Sequence, residues 1–267
     1  MKILILIKCW KGGVGGVMRS IIPILQKKGH QVEVISREDD LNIFSMKNSF
    51  FPLRRLIKEK EYDILYTQDW SLAIPFLSYK KHYCCFHGLN LKHQGKPFQY
   101  IVGKIMGKKL IAVGPPVKKK FKKAHLVNNG VDLNKFFPIN NQRQFIGYIK
   151  KKSEEKATYE LAKKLSEGLN KEISIAENIP FDKMNEWYNS LDTFISFPNK
   201  RAGFNLCWLE AMASGVPKII GNYGGIGSEI PITKLGEEVK RIDYRTWLIN
   251  SNFTWENHVN KLLEIFR

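Results

Sequence analysis

The residues most indicative of chemistry lie in the segment AGFNLCWLEAMASGVP, from Ala202 to Pro217. Between Leu206 and Ala213 almost every residue is apolar, and Glu210 carries the only charge. A segment that is apolar on all sides is usually buried, whereas a glutamate is seldom buried without a partner. The stretch therefore predicts a short buried helix whose single carboxylate faces a partner or a polar cavity.

Signals for both ends of this helix flank the apolar run. Gly203 and Asn205 precede it and Ser214-Gly215 follows it, which is typical of a helix start and a helix stop. An alternative interpretation makes Glu210 a first-turn residue that faces water and complements the helix dipole. The local sequence leaves both interpretations open.

Two other segments carry residue types suited to polar ligands. A glycine-rich run, Gly12 to Gly16, follows an apolar strand pattern and precedes a helical pattern at 17–28, so its backbone amides would favour an anion. His87 follows another apolar strand pattern, at the carboxyl end of that strand. Each has a structural alternative, because tight strand-to-helix turns also need glycine and a lone histidine is often a satisfied structural residue.

Short apolar runs alternate with helical patterns along the chain and must position these residues. Such alternation predicts parallel sheets with right-handed crossovers, in two doubly wound units that bind ligands beyond the carboxyl ends of their strands. A polar stretch without periodicity, about 134–144, predicts a linker between the two units. The predicted strands are 3–7, 32–35, 64–66, 83–86, 110–113 and 126–127, then 145–149, 173–176, 193–197 and 216–220, and two of the predicted helices are 156–167 and 181–190.

The charge of the chain leaves several partners open. The formal net charge is +18 over 267 residues, with lysine runs at 118–120, 122–123 and 150–152. An anionic membrane surface, nucleic acid and a solvated surface compete as explanations. Nucleic acid is disfavoured because no reading module is recognisable and the aromatic residues are not interleaved with the basic runs. A nicotinamide oxidoreductase is disfavoured because the glycine-rich run does not fit the dinucleotide fingerprint.

The sequence also bears on location. No apolar run approaches the roughly 18 residues of a spanning helix. The apolar run at 3–7 is too short for a signal peptide and has no small-residue cleavage site after it. We therefore expect a cytoplasmic protein, with peripheral binding to the inner face of a membrane as an extension of the charge argument.

The segment around Glu210 resembles the signature of the retaining glycosyltransferases of glycosyltransferase family 4, which have the GT-B fold. The family has two glutamates in an E-x7-E motif, followed by Ala-Met-Ala-x-Gly-x-Pro. Glu210 falls on the second glutamate, which in the family holds the ribose hydroxyls of the nucleotide donor. Ala202 falls on the first glutamate, and Asn205 replaces the second glycine of the pattern.

The resemblance extends over nearly the whole chain. The segment Asn129-Gly130-Val131-Asp132 resembles the family's hinge. Asp69-Trp70 resembles an acceptor-side Asp-Trp element, although Asp69 is alternatively the cap of the next helix. His87-Gly88 resembles the turn whose histidine lies close to the transferred sugar.

The predicted diphosphate clamp departs from the family. Lys156 matches the lysine that clamps the donor diphosphate together with an arginine. The arginine position is Tyr148 in this chain, and Lys150, Lys151 or Lys152 would supply the missing charge.

The resemblance implies an α/β fold of two Rossmann-like doubly wound parallel-sheet domains that face each other across a cleft (GT-B). It implies an acceptor domain at 1–135, a donor domain at 136–253 and a C-terminal helix at 254–267 that packs back on the first domain. The implied catalytic residues are His87, Lys156 and Glu210. The implied donor-binding residues are Gly13, Gly15, Gly16, Gly147, Lys156, Gly203, Phe204, Asn205, Leu206 and Glu210. The implied acceptor-binding residues are Asp69, Trp70 and His87.

The implied activity is a retaining, metal-independent hexosyl transfer without a cofactor. The donor substrate is a nucleotide sugar such as UDP-glucose or GDP-mannose, and the acceptor is a hydroxyl of a glycan or a lipid-linked molecule. The expected partners are these substrates and an anionic membrane surface, with no nucleic acid. Because Ala202 and Tyr148 depart from the family in the donor site, a non-catalytic nucleotide- or carbohydrate-binding relative stays an alternative, ahead of a basic nucleic-acid-binding protein.

Overall fold

The computed structural model describes residues 1–38, 51–89, 96–150, 155–198 and 202–267. The chain forms two compact units, of which unit 1 comprises 1–129 with 255–267 and unit 2 comprises 130–254. In the described part of the chain, no helix is both long enough and apolar enough to cross a membrane.

Unit 1 contains a six-stranded sheet in which every neighbouring pair of strands is parallel. Its strands are β1 (Lys2–Ile7), β2 (Gln31–Ser36), β3 (Ile64–Thr67), β4 (His82–Phe86), β5 (Leu110–Ala112) and β6 (His125–Leu126). Its helices are α1 (Gly12–Lys27), α2 (Phe51–Lys60), α3 (Trp70–Ala73), α4 (Lys96–Met106), α5 (Pro115–Lys120) and the C-terminal helix (Trp255–Phe266). The spatial order β2-β1-β3-β4-β5-β6 places β1, β3 and β4 side by side in the middle of the sheet.

The central strands of unit 1 are buried on both faces, as in parallel sheets covered by helices. All five residues of β1 after Lys2 have no solvent-accessible surface. The C-terminal helix contacts α1, and the ring of Phe266 lies 5.4 Å from the ring of Tyr66 and 4.9 Å from that of Tyr83. The last residues of the chain thus belong to the core of unit 1.

Unit 2 contains a five-stranded parallel sheet. Its strands are β7 (Phe145–Ile149), β8 (Ile173–Ala176), β9 (Leu191–Ile195), β10 (Lys218–Gly221) and β11 (Thr233–Lys234), and its helices are α6 (Glu155–Leu169), α7 (Met184–Asn189), α8 (Leu206–Ala213) and α9 (Tyr244–Ile249). The spatial order β11-β10-β9-β7-β8 makes β7 and β9 neighbours.

The two parallel sheets confirm the predicted α/β fold class. The predicted strand β9 was placed two residues too late, and the short strand β11 was not predicted. The prediction that the glycine-rich run precedes its helix is wrong, because α1 begins at Gly12 rather than at Val17. Glycine is a poor helix former, so the sequence pattern alone gave no reason to extend the helix through this run.

Candidate functional site

Helix α8 places Glu210 among buried residues. Six of the eight residues of α8 are buried, whereas Glu210 is half-buried and lies in the second turn. The hydroxyl of Tyr188 donates a hydrogen bond of 2.9 Å to Oε2 of Glu210. The prediction of a short buried helix is confirmed, and the alternative that Glu210 is a first-turn residue is wrong.

The partner of Glu210 is itself a core residue. Tyr188 has no exposed surface and lies in α7, which ends just before β9. Burial, followed by the charge of Glu210, raises the pKa of the Tyr188 hydroxyl well above its ordinary value. Tyr188 is therefore a permanent hydrogen-bond donor that fixes one oxygen of the carboxylate.

The three residues before α8 are buried, and Leu206, its first residue, is half-buried. Asn205 occupies the cap position, but its side chain does not cap the helix. Instead its Nδ2 donates to Oγ of Ser196 at 3.2 Å, and Sγ of Cys207 donates to its Oδ1 at 3.2 Å. The Asn205 side chain thus ties the start of α8 to the residue that follows β9.

A second loop packs against the backbone of this segment. Gly225 has a positive φ of 56°, and a Cβ at this position would lie 2.6 Å from the carbonyl oxygen of Phe204. The side chain of Asn222 accepts from the amide of Gly224 at 2.8 Å and so stabilises the turn. The ring of Phe204 lies 6.1 Å from that of Phe253, so both sides of Phe204 are supported.

Strand β7 carries the position where the resemblance requires an arginine. Tyr148 is buried in the core with Ile146 and Ile195 and contacts the ring of Tyr159 edge-on at 6.4 Å. An uncharged ring in the core cannot neutralise a diphosphate. Tyr148 is therefore a packing residue.

The neighbouring positions of β7 also have packing or pairing partners. A Cβ on Gly147 would lie 2.4 Å from Cδ1 of Leu191, so close packing against β9 accounts for this glycine. Lys150, one residue beyond β7, forms an exposed ion pair with Glu177 at 2.9 Å. The predictions for Lys151 and Lys152, and for the side chain of Lys156, lie outside the described residues.

In unit 1 the predicted glycines form the first turns of α1. Gly13 is exposed and Gly16 is half-buried, whereas Gly15 is buried against Trp10. A Cβ on Gly15 would lie 1.8 Å from the carbonyl oxygen of Trp10, so no other residue fits there without a backbone shift. The first turn of α1 contains no acidic residue, which leaves the positive end of the helix dipole uncompensated from within the helix.

Asp69 and Trp70 lie at the carboxyl end of β3. Asp69 caps α3, because its Oδ1 accepts from the amide of Ser71 at 2.8 Å and from the Ser71 hydroxyl at 2.7 Å. The same oxygen pairs with Nζ of Lys8 at 2.7 Å. The ring of Trp70 stacks on that of Phe98, with centroids 5.9 Å apart and planes inclined by 9°.

His87 lies at the carboxyl end of β4 and is half-buried. Its Nε2 donates to Oε1 of Gln68 at 2.9 Å, because an amide oxygen only accepts. Burial, followed by the nearby His258, lowers the pKa of His87 to about 4, although Asp69 acts in the opposite direction. At neutral pH His87 is therefore an uncharged imidazole whose Nδ1 is a hydrogen-bond acceptor.

Two buried residues around His87 were not predicted as site residues. Gln68 precedes Asp69, and His258 lies on the C-terminal helix and donates from Nδ1 to the carbonyl oxygen of Asn128 at 2.9 Å. The buried Nε2 atoms of Gln68 and His258 have no hydrogen-bond partner within the described part of the chain. A polar ligand or water is needed to satisfy such atoms.

Within each unit the predicted residues gather at one edge of the sheet. In unit 1 the glycines of α1, Asp69 with Trp70, and His87 follow the neighbouring strands β1, β3 and β4. In unit 2 the segment leading to Glu210 follows β9, next to β7. Among the described residues, no group of three or more His, Cys, Asp or Glu side chains is placed to hold a metal ion.

A comparison with protein families finds a match for the segment of unit 2 that contains this edge of the sheet. Residues 145–236 match the family model described as "Glycosyl transferases group 1". The matched segment contains Gly147, Tyr188, Asn205 and Glu210. No curated protein matches the chain.

Solved structures extend the likeness to the whole chain. A glycosyltransferase from Rickettsia africae ESF-5 matches with a TM-score of 0.72 at 20% identity, over 99% of this chain and 97% of the other. HepE from Anabaena, in complex with UDP and glucose, matches with a TM-score of 0.60 at 14% identity, over 99% and 94%. The lipopolysaccharide outer core galactosyltransferase WaaB, in its apo form, matches with a TM-score of 0.58 at 12% identity, over 99% of both chains. The chain has the GT-B fold.

Proposed function

We propose that the protein is a retaining glycosyltransferase of family 4, which moves a sugar from a nucleotide-diphosphate donor to a hydroxyl acceptor. The observation that carries the proposal is the half-buried carboxylate of Glu210, held by Tyr188 inside the segment that matches the family model. A half-buried carboxylate with a fixed orientation suits a ligand that presents two neighbouring hydroxyl groups.

Unit 2 is proposed to bind the nucleotide. Glu210 accepts hydrogen bonds from the two ribose hydroxyls, and the backbone of Gly203, Phe204, Asn205 and Leu206 contacts the donor at the start of α8. The positive end of the α8 dipole adds a favourable field for the phosphates. The complex of HepE with UDP and glucose supports a uridine nucleotide as the first candidate.

The leaving diphosphate needs compensating charge. Lys156 and the lysines at 150–152 are proposed to supply it, with Gly147 near the same edge of the sheet. The start of α1, with Gly13, Gly15 and Gly16, adds backbone amides and a helix dipole. Fixed donors aimed at developing negative charge are an effective form of transition-state stabilisation.

Unit 1 is proposed to bind the acceptor and the transferred sugar. His87 is neutral at pH 7, so it hydrogen-bonds sugar hydroxyls without adding charge, and Asp69 and Trp70 contact the acceptor. The unpaired Nε2 atoms of Gln68 and His258 support a polar ligand at this edge.

The proposed reaction needs no covalent nucleophile and no metal. The bond between the anomeric carbon and the diphosphate breaks, and the acceptor oxygen bonds to the same face of that carbon. The proton of the acceptor hydroxyl leaves with the diphosphate. The pair of closely spaced carboxylates that a double displacement requires is not assigned in this chain.

A binding protein without turnover is the second candidate, and the burial of Tyr148 favours it. The family's clamping arginine is replaced by this core residue, and its first motif glutamate by Ala202. Nucleotide binding without release of sugar would support this candidate.

Calorimetric titration tests the donor site. UDP, GDP, ADP, UDP-glucose and GDP-mannose are titrated into the wild-type protein, Glu210→Gln and the control Glu172→Gln, which changes an exposed glutamate of unit 2. We expect one nucleotide to bind the wild type and the control, and to bind Glu210→Gln at least tenfold more weakly, since hydrogen bonds to a charged acceptor are lost. Equal affinity for wild type and Glu210→Gln would contradict the role of Glu210. No binding of any nucleotide would contradict the proposed function.

A further inference from the structure

Unit 1 contains a long basic region without acidic residues. Residues 70–129 include twelve lysines and neither an aspartate nor a glutamate. Helices α4 and α5 both lie in this region. A surface charge of one sign that its own sequence does not neutralise attracts a polyanion.

Helix α4 is apolar on its outward side as well as on its inward side. Val102 and Met106 are buried in the core of unit 1. The exposed fractions of Phe98, Ile101 and Ile105 are 53%, 51% and 57%. The outward side of a helix in a globular protein is normally polar, so a run of large apolar side chains there indicates an interaction surface.

The lysines border this apolar surface. Nζ of Lys104 lies 5.3 Å from the ring centroid of Tyr100, and Nζ of Lys120 on α5 lies 5.0 Å from it. Lys119 and Lys123 are exposed beside Lys120 along the chain. We use "the α4 face" for the surface formed by Phe98, Tyr100, Ile101, Lys104, Ile105 and Lys120, together with the exposed Lys119 and Lys123, which neighbour Lys120 along the chain.

One end of the α4 face adjoins the predicted acceptor residues. Phe98 stacks in parallel on Trp70, and Trp70 follows Asp69, which is paired with Lys8. A molecule bound along the α4 face would therefore reach Trp70 at one end of this face.

We infer that the α4 face binds the surface of an anionic lipid bilayer. Its apolar side chains enter the boundary between headgroups and acyl chains, and its lysines contact the anionic headgroups, as in helices that lie in the plane of a membrane. If the protein is the glycosyltransferase proposed above, the acceptor is carried by a lipid. This last step rests on the proposed function, whereas binding to the bilayer does not.

The composition of the α4 face favours a bilayer over other occupants. Two copies of this face would bring their lysines together, which opposes self-association. Nucleic acid is held by positive charge and by bases stacked on aromatic rings, and it gives Ile101 and Ile105 nothing to bury against. An anionic bilayer offers headgroups that pair with the lysines and acyl chains that bury the aliphatic side chains.

Vesicle co-sedimentation at low salt tests the inference. Vesicles of phosphatidylcholine alone are compared with vesicles that also contain phosphatidylglycerol. The lysine variant K119Q/K120Q/K123Q is paired with K27Q/K28Q/K58Q, which removes the same charge from exposed positions on α1, α2 and the residue after α1. The apolar variant I101N/I105N is paired with L169N/L235N, which changes exposed leucines of unit 2.

We expect wild-type protein to bind only the anionic vesicles. The lysine variant should bind them on the order of a hundredfold more weakly, from about 1 kcal/mol for each lysine near the membrane. The apolar variant should also bind more weakly, and both controls should bind like the wild type. No sedimentation of wild-type protein with anionic vesicles would overturn the inference, and so would equal binding by the variants and their controls.

Two further measurements distinguish a bilayer from the other possible partners, and vesicle binding from nucleotide binding. A self-association that I101N/I105N abolishes, or tighter binding to DNA or RNA than to anionic vesicles, would overturn the assignment to a bilayer. Nucleotide titration of the same variants shows whether the donor site is still intact. If the variants lose vesicle binding but keep their nucleotide affinity, the α4 face is a surface separate from the donor site. If the variants lose both vesicle binding and nucleotide affinity while the controls keep both, the α4 face is not a separate surface.

Discussion

The Tyr188 hydroxyl holds one oxygen of Glu210, so it should affect nucleotide binding from within the core. In Tyr188→Phe the ring is kept and the hydrogen bond to Oε2 of Glu210 is removed. We expect nucleotide affinity to fall about tenfold, because a hydrogen bond to a charged group contributes roughly 1.5–3 kcal/mol. The measurement is the same calorimetric titration. Tyr244→Phe, which removes the hydroxyl of another buried tyrosine of unit 2, is the control and should bind like the wild type.

A charge placed at Gln68 should change the protonation of His87, because the two side chains are hydrogen-bonded. In Gln68→Glu a carboxylate replaces the amide oxygen that accepts from Nε2 of His87, and a nearby negative charge raises the pKa of a histidine. We expect the pKa of His87 to rise from about 4, so that the imidazole becomes charged, and the transfer rate declines, at a higher pH than in the wild type. Proton NMR titration of the imidazole measures the pKa directly.

The control for this change is Gln26→Glu, which adds the same charge at an exposed position of α1. It should leave the titration of His87 unaltered. A wild-type His87 that titrates near its ordinary pKa would contradict the burial of the ring. A Gln68→Glu variant without any shift would contradict the contact between the two side chains.

The start of α1 offers a matched pair of glycines for a test of close packing. In Gly15→Ala the new methyl group would meet the carbonyl oxygen of Trp10, whereas nothing lies within 4 Å of the corresponding position on Gly13. We expect Gly15→Ala to lower the free energy of unfolding by several kcal/mol, in the range of severe core changes. Gly13→Ala should be neutral or stabilising by about 1 kcal/mol, since alanine is the better helix former. Urea denaturation measures both, and equal stability of the two variants would contradict the packing argument.

The elements were predictable where the sequence pattern is local and regular. The fully apolar β1 and the apolar run of α8 with its flanking Gly and Asn residues were predicted, because burial and helix ends leave a local trace. The start of α1 at Gly12 was missed, since glycine is a poor helix former and the close packing of Gly15 on Trp10 leaves no trace in the sequence pattern. Strand β11 was missed because its two residues, Thr233 and Lys234, are polar and form no apolar run.

The candidate site was predictable only for residues that belong to a recognisable motif. Glu210, His87 and Asp69 were predicted, but their supporting residues Tyr188, Gln68 and His258 were not. These residues contact their partners only in the folded chain, across long separations in sequence. His258 meets Asn128 from 130 positions away along the chain, and Tyr188 meets Glu210 from 22 positions away. Nothing in the neighbouring sequence of a buried tyrosine or histidine indicates which side chain it will contact.

At the scale of the molecule, unit 1 contains several histidines that are held neutral. Burial lowers the pKa of His82, His87 and His258 to about 4 in each case. His82 is fully buried and its ring contacts Oγ1 of Thr67 and the carbonyl oxygen of Phe76, both at 2.9 Å. Protonation of any of the three therefore opposes the folded state.

These histidines should make unit 1 sensitive to acid before its carboxylates protonate. A group with a lowered pKa in the folded state contributes stability that is complete above its unfolded pKa, near 6.5, and is lost as the pH falls toward its folded pKa, about 4. Each histidine lowers the free energy of unfolding by about 1.4 kcal/mol per pH unit inside this window. We expect the thermal midpoint to fall between pH 7 and pH 5, and to fall less in His82→Gln, although that variant is less stable at pH 7. His125→Gln, at an exposed position of β6, is the control. Differential scanning calorimetry at both pH values gives the midpoints. If the midpoint of His82→Gln falls between pH 7 and pH 5 by as much as that of the wild type, His82 does not contribute to the acid sensitivity.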